Sequence, residues 1–531
     1  MPKVTIDGEE IDVAAGTTIL QAALKRGREI PHYCYHDGLS IAGNCRMCLV
    51  EVEKAPKLVI GCYTPVAEGM VVHTASAKVK TARSAMMEFF LINHPLDCPI
   101  CDQAGECRLQ EYAVEHGTGT SRYTEPKLAL SKAVDIGPHV MLDQERCIQC
   151  SRCTRFCDEI TKTGELAFFQ RGERSQIGIF PGKRLDNAYS GNVVDLCPVG
   201  ALTLKEFRFK TRVWYLKNTP TVCAGCARGC NVVVSVGQQQ TMMTTQGQID
   251  DRVKRIVPRV NEAVNGHWIC DDGRMSYAKE QGAARLRTAR IGDAGASYDA
   301  AIAAAAAKLQ TASRAGTLGV IASPRTLSED LYAWREVALG LGGAVFGARS
   351  LVSGADDQLL VRADKGANAR GAAWIFGATA SEDAVLAAVT QGAVTTLLVL
   401  GDTLDPADTF ALPAAAKGKV EVIFAGPFAS GAAADAAVAI PSASWSEADG
   451  TYVNFEGRAQ RVLRCHLPLG EARPGWRIAA DVAACAGAPL PEWASASDVL
   501  RSVSRSVAEF EGVTPESMGL LGVAAPAAAG V

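Results

Sequence analysis

Apolar and polar positions alternate through residues 3–13 (KVTIDGEEIDV) and pivot at Asp7-Gly8, so the chain is expected to begin with a β-hairpin. Thr17 or Thr18 then offers an N-cap for a short helix, TILQAALKRG, that stops at Gly27. A glycine-containing loop follows, and after it come two strand-like runs, LVEVE and KLVIGC. Residues 78–93 (KVKTARSAMMEFFLIN) carry the spacing of an amphipathic helix, which Pro95 should end. A second helix is expected over ECRLQEYAVEH. From about residue 281 the pattern changes. Helical runs (YDAAIAAAAAKLQ, SEDLYAWREVALGLG) alternate with short apolar strands (LGVIAS, TTLLVLGD, VEVIFAG), which implies a parallel sheet covered on both faces.

Length and charge narrow the picture only a little. A chain of 531 residues can hold three to five domains. Its 54 basic and 57 acidic side chains nearly cancel, so nothing favours a nucleic acid as partner. The start MPKVTIDGEEIDV is not a charged segment followed by an apolar core, and no apolar run reaches the ~18 residues of a membrane span. A soluble, cytoplasmic chain is the expectation. No G-x-G-x-x-G or Walker A motif accompanies the strand–helix alternation, so no nucleotide site is assigned.

Cysteine changes the picture most. Fifteen of the eighteen cysteines, with one histidine, fall into four sets of four, each spaced like an iron–sulfur ligand group. The first is Cys34, Cys45, Cys48 and Cys62; the second is His94, Cys98, Cys101 and Cys107. The third is Cys147, Cys150, Cys153 and the distant Cys197; the fourth is Cys223, Cys226, Cys230 and the distant Cys270. Cys157, Cys465 and Cys485 are left over. In a reducing compartment such cysteines are metal ligands rather than disulfides. Zinc is the rival occupant: Cys3His is a known zinc set, although zinc modules favour two compact pairs over the wide gaps of the first set.

The order hairpin, helix, cysteine loop and strand resembles the plant-type [2Fe-2S] ferredoxin β-grasp fold. Gly38 and Gly43 in its loop would let backbone N–H groups approach a cluster. The third set yields to arithmetic. Two-cluster ferredoxins use C-x2-C-x2-C-x3-C-P twice, and the last cysteine of each run ligates the other cluster. Here Cys157 stands at the fourth place of the first run, and Cys197-Pro198 would end the second. The three earlier positions of that second run are Asn187, Ser190 and Val193. One [4Fe-4S] therefore keeps its ligands, the other has lost three, and Cys157 becomes a free, buried thiol. The fourth set has the C-x2-C-x3-C spacing that opens molybdopterin enzymes, with Cys270 beyond a long polar segment, QQQTMMTTQGQIDDR. Its bland alternative is that Cys270 is only a buried thiol.

Taken in order, these segments resemble the family of the large iron–sulfur subunit of respiratory complex I, the G subunit of NADH-quinone oxidoreductase. The resemblance rests on IPHYCYHDGLSIAGNCRMCLVEVE, NHPLDCPICDQAGECRLQ, RCIQCSRCTRFC, SGNVVDLCPVGALT and SEADGTYVNFEGRAQRV, the last like a segment of molybdopterin oxidoreductases. It implies one [2Fe-2S] cluster on the first set and a [4Fe-4S] cluster on each of the other three, the fourth lying off the main electron route. It implies no molybdopterin. Electrons would come from NADH through a flavin in a neighbouring subunit, pass the first, third and second sets, and leave to a ferredoxin-like subunit with two [4Fe-4S] clusters. The other partners would be peripheral-arm subunits on the cytoplasmic face of the inner membrane, with the membrane reached only through them. The implied fold is multidomain α+β and α/β: a β-grasp domain over 1–78, a His/Cys3 domain over 79–136 and a ferredoxin-like domain over 137–215. A molybdopterin-enzyme-type cluster domain would cover 216–280 and a truncated molybdopterin-oxidoreductase-like α/β domain 281–520, with a disordered tail over 521–531.

Other readings fit less well. A catalytic molybdenum enzyme such as formate dehydrogenase needs an active-site cysteine soon after the fourth set, yet none lies between 270 and 465, and about 260 residues are few for its pterin domain. The iron–sulfur subunit of an NAD-reducing hydrogenase would resemble residues 1 to about 210 and then stop. A zinc-stapled interaction module would be colourless rather than brown.

Overall fold

The computed structural model describes residues 1–170, 172–237 and 252–526, and the chain divides into two compact units, Met1–Tyr215 and Leu216–Val531.

The first unit opens with strands Lys3–Ile6 and Glu9–Asp12, paired antiparallel around the turn at Asp7 and Gly8, whose φ values are 48° and 87°. Met70–His73 runs parallel to the first strand, and Leu49–Val52 and Val59–Ile60 complete a five-stranded sheet. Helix Ile19–Lys25 is capped by Thr18 in a capping box with Gln21 and buries Ile19, Leu20, Ala22 and Ala23 in a core with Val4, Ile6, Val50 and Val72. This ferredoxin-like frame fixes both ends of the loop that carries the first cysteines. Helix Ala77–Ile92 starts at the Ser76 cap and ends just ahead of His94, and helix Arg108–His116 starts from Cys107. The two helices and the Tyr33 loop meet where the Tyr33 ring lies 5.0 Å from Phe90 and 5.5 Å from Tyr112. Further along, a three-stranded sheet of Val134–Asp135, Val140–Leu142 and Leu202–Leu204 backs the third cysteine loop. The helical turn Arg152–Arg155 runs directly into a π-helical turn, Phe156–Ile160.

The second unit begins with an antiparallel sheet of Leu216–Val222, Asn231–Gly237 and Val253–Pro258. Its main sheet has seven strands, five of them parallel. Across that parallel part the order is Val345–Ala348, Leu318–Ala322, Thr396–Leu400, Glu421–Gly426 and Val438–Pro441. All but the edge strand Val345–Ala348 are nearly wholly buried, as expected for a sheet covered on both faces. Helices Tyr298–Arg314, Ser328–Leu341 and Gly475–Ala486 share one core with Leu318, Val320 and Leu398, while Val385 and Val389 pack with Leu397 and Val399 in another.

Two expectations need comment. The tail expected to be disordered over 521–531 is ordered at its start: Val523–Ala524 pairs with Arg458–Val462, and the Ala525 amide donates to Gly457 at 3.0 Å. An exposed sheet edge outweighs the tail's bland composition. The polar segment 238–251 and residues 527–531 lie outside the described residues. Residues 216–280 and 281–520 also fall within one compact unit, bound by contacts such as Phe455 N–H to Ala227 O at 2.9 Å and Asn231 Nδ2 to Gln460 Oε1 at 2.6 Å.

Candidate metal centres

The first set forms where the loop after Ile30 folds over the sheet. Cys34, Cys45, Cys48 and Cys62 are all buried, with side-chain contacts joining Cys34 to Cys45 and Cys62, and Cys48 to Cys62. Those contacts hold the Cys34 and Cys48 thiols down and push Cys45 and Cys62 up, so the group does not keep its protons evenly. Gly43 sits at φ 61°. At Gly61, whose N–H donates to Cys48 O at 2.9 Å, a Cβ would stand only 2.9 Å from that same oxygen. The Tyr33 N–H points at Cys45 Sγ at 3.4 Å. A buried ring of thiols with an inward N–H suits a small iron–sulfur cluster.

In the third set, Cys147, Cys150, Cys153 and Cys197 line one small cavity with Ile177, Val199, Ala201 and Leu202. Gln149 and Ser151 have φ of 53° and 63°, a backbone that turns the loop's amides inward. The Gln149 N–H reaches Cys147 Sγ at 3.4 Å, and N–H groups of Arg152 and of Val199, Ala201 and Leu202 face Cys150 and Cys197. Burial pushes the Cys197 thiol up to about 12. Four thiols around an apolar space, three of them approached by amides, fit a cuboidal cluster. Cys157 does not line that cavity; it is fully buried in the π-helical turn, and burial pushes its thiol up to about 12. Where the second run has lost its ligands, Asn187 donates to Glu165, and Ser190 and Val193 are fully buried.

The second set spans the end of one helix and the start of the next. Cys98 is exposed, Cys101 buried and Cys107 half-buried. Burial, helped by the charge of Arg146, holds the His94 imidazole down to about 4, so the ring is neutral at pH 7 and keeps a lone pair for a metal. Its Nδ1 is buried and, among the described residues, has no hydrogen-bond partner. An orphaned imidazole nitrogen four residues ahead of Cys98 in the chain fits a ligand role.

The second and third sets share a wall. Cys107 Sγ lies 3.9 Å from Pro198 O, next to Cys197, and any Cβ on Gly200 would run into Cys101 Sγ. Arg146, adjacent to Cys147, is buried and pairs with Asp97, adjacent to Cys98, at 2.9 Å and with Asp143 at 3.3 Å. Arg152 and Arg155 link the third set to the first: Arg155 donates to Cys34 O at 2.5 Å, and Arg152 to Tyr35 O. Sequence reasoning missed Arg146, Arg152, Arg155 and Gly200. The run RCIQCSRCTRFC displays three of them, but their partners in other segments are 44 to 121 residues away in the chain.

In the second unit, Cys223, Cys226, Cys230 and Cys270 line a cavity of about 350 Å³. The Cys223 N–H donates to Cys230 O at 2.8 Å, closing the C-x2-C-x3-C loop. Cys270 caps helix Asp271–Met275, and its Sγ accepts from the Gly273 N–H at 3.4 Å. A Cβ at Gly273 would lie 3.0 Å from Cys223 Sγ and 3.4 Å from Cys270 Sγ, so the structure brings Cys270 to the other three rather than leaving it an isolated thiol. The cavity continues to the carboxyl ends of strands Leu318–Ala322 and Thr396–Leu400, where the strand order reverses, the place at which such sheets take ligands. There Arg325 is neutralised by Asp402 at 3.1 Å and Asp408 at 2.6 Å, and Lys279 by Asp405 at 2.7 Å.

Family models match along the chain in sequence. A 2Fe-2S iron-sulfur cluster binding domain covers residues 2–77, and an NADH-ubiquinone oxidoreductase-G iron-sulfur binding region covers 83–122. The ferredoxin-like domain of NADH-quinone oxidoreductase subunit 3 covers 137–203, an NDSU1/NuoG-like 4Fe-4S domain 216–278 and a molybdopterin oxidoreductase model 363–485. The chain is 48% identical over 277 residues to the NADH-quinone oxidoreductase G subunit of Rickettsia bellii (strain RML369-C) and 46% to that of Rickettsia prowazekii (strain Madrid E). Each match covers 52% of this chain and 39% of the relative, so the chain spans well under half of these relatives' length. Among solved structures, an NAD+-reducing [NiFe]-hydrogenase in its H2-reduced state aligns at 31% identity and TM-score 0.37, over 40% of this chain and 91% of that one. The chain thus carries 2Fe-2S and 4Fe-4S binding domains, and over 277 of its residues it is similar to NADH-quinone oxidoreductase G subunits.

Proposed function

We propose that the protein is an electron-relay subunit of an NADH:quinone oxidoreductase. In this reading Cys34, Cys45, Cys48 and Cys62 hold a [2Fe-2S] cluster. Three [4Fe-4S] clusters sit on His94 with Cys98, Cys101 and Cys107; on Cys147, Cys150, Cys153 and Cys197; and on Cys223, Cys226, Cys230 and Cys270. When bound, such clusters accept and release single electrons without making or breaking a substrate bond. The chain's own residues supply the spacing, the burial and the amide hydrogen bonds that set potential. NADH oxidation at a flavin and quinone reduction belong to partner subunits, among them a ferredoxin-like one with two [4Fe-4S] clusters. Among the described residues no helix is long and apolar enough to cross a membrane.

The observation that carries the reading is the contact pattern in the first unit. The third set touches both of its neighbours, through Arg152 and Arg155 on one side and through Pro198 and Gly200 on the other. That adjacency suits a path from first set to third to second. Against a zinc module stand the wide gaps of the first set, where zinc modules favour two compact pairs. Iron and labile-sulfide analysis with electron paramagnetic resonance of the reduced chain tests the reading. It calls for about fourteen irons per chain; about ten would remove the fourth cluster, and zinc in a colourless protein would overturn it.

A further inference from the structure

The Arg152 side chain is buried, at 8% exposure, and among the described residues no carboxylate lies within ion-pairing distance of it. A guanidinium stays charged, and a buried charge without a counter-charge is costly. Its hydrogen bonds go to neutral carbonyls only: Nη1 donates to Leu196 O at 3.2 Å and Nη2 to Tyr35 O. Leu196 precedes Cys197 of the third set, and Tyr35 follows Cys34 of the first. Its Nε is buried with no partner among the described residues. The groups close enough to act on it electrostatically are cysteines of both sets, Cys150 and Cys197 on one side and Cys34 on the other, which become negative as thiolates, with the cation Arg108 opposing them. Arg155 differs: it is half-buried, donates to Cys34 O and Ser40 O of the first loop, and holds Ser151 Oγ of its own loop at 3.1 Å.

We propose that the Arg152 guanidinium is the shared counter-charge of the first and third cluster sites, a positioning residue that raises both reduction potentials together and ties the two ligand loops at a fixed separation. The inference rests on the assignment of clusters to these two sets. Four thiolates leave each site net negative, and reduction adds one more electron with no proton and no change of bonds. A fixed positive charge therefore favours the reduced form at both sites. When an electron crosses from the first site to the third, one is oxidised and the other reduced, and the same charge acts on both ends of the transfer. The potential difference that drives the step is thus kept while both potentials shift.

The test is a mediated redox titration, followed by electron paramagnetic resonance, of the full chain with its iron and sulfide restored. Arg152→Gln is expected to lower the reduced-to-oxidised ratio at both sites by about tenfold at the applied potential that half-reduces each wild-type site, ~59 mV for one electron. Arg152→Lys keeps the charge and should hold both ratios within about threefold of wild type, while a point-like ammonium no longer bridges both carbonyls. Arg155→Gln removes a half-buried charge that also bears on Cys150 and should move both sites less than Arg152→Gln does. A glutamine variant in which either site keeps its potential overturns the proposal, as does an Arg155→Gln shift equal to that of Arg152→Gln at both sites. Should the glutamine variant fail to assemble, the lysine variant decides: retained potentials support the proposal, and a fall at either site overturns it. Wild-type chain without cluster signals would instead overturn the assignment on which the inference rests.

Discussion

At the level of single residues, the ligands were legible because thiol chemistry leaves a spacing in the sequence, while their supporting residues were not. Gly200 is one such residue, since nothing in CPVGALT says that Cys101, almost a hundred positions earlier, would fill the space of its missing side chain. Gly200→Ala should therefore displace Cys101 and cost the second site its cluster, about four irons per chain, with the signals of the other sites kept. Cys157 makes the opposite case. The run C-x2-C-x2-C-x3-C made it look like a ligand, the arithmetic of the lost second run removed it, and the structure buries it away from the third-set cavity. Cys157→Ser should leave iron content unchanged in metal analysis. Arg152 could not be read from sequence at all, because a buried cation declares itself only through the partners that folding brings to it.

At the level of elements, local rules worked where local energies dominate. The hairpin turn at Asp7-Gly8, the Thr18 cap and the helix ahead of His94 all stand within a residue or two of their expected bounds. Thr18→Ala removes the hydroxyl that accepts from the Gln21 N–H, leaving only the half of the capping box made by the backbone N–H of residue 18, and should lower the stability of the first unit by about 1 kcal/mol in denaturant titration. Local rules failed where tertiary contacts decide. Val523–Ala524, within the stretch expected to be disordered, is a strand because Arg458–Val462 offers it an edge.

At the scale of the whole molecule, the alternation of strand and helix announced a parallel sheet, but not the strand order that opens a crevice beside the fourth set. Nor did it announce the acids sealed inside the second unit. Glu280 is fully buried, accepts from Ser444 and Ser446, and is pushed up to about 8, first by burial and then by Glu447. Burial also pushes Glu329 and Asp330 up to about 7. In each case the folded form holds its proton more tightly than the unfolded form, whose carboxyls titrate near 4.5 or 3.8. Above those values the unfolded chain binds fewer protons, so stability falls as pH rises. The contribution is complete below about pH 4 and is lost by about pH 8. Thermal melts from pH 5 to 8 should show a declining midpoint for the second unit, and Glu280→Gln, which stays neutral, should flatten the decline.

The emptied half of the ferredoxin-like module has a further consequence, for reversibility. Its ligand positions are no longer vacant places waiting for thiols: Ser190 and Val193 have no solvent exposure, Asn187 is bonded to Glu165, and Cys157 is enclosed by its own turn. Packing has taken over the volume that a cluster would fill, and close-packed interiors resist insertion. Restoring the donors by Asn187→Cys, Ser190→Cys and Val193→Cys should therefore recover no iron beyond the wild-type content. A loss that began with ligands has become a ratchet held by the core around them.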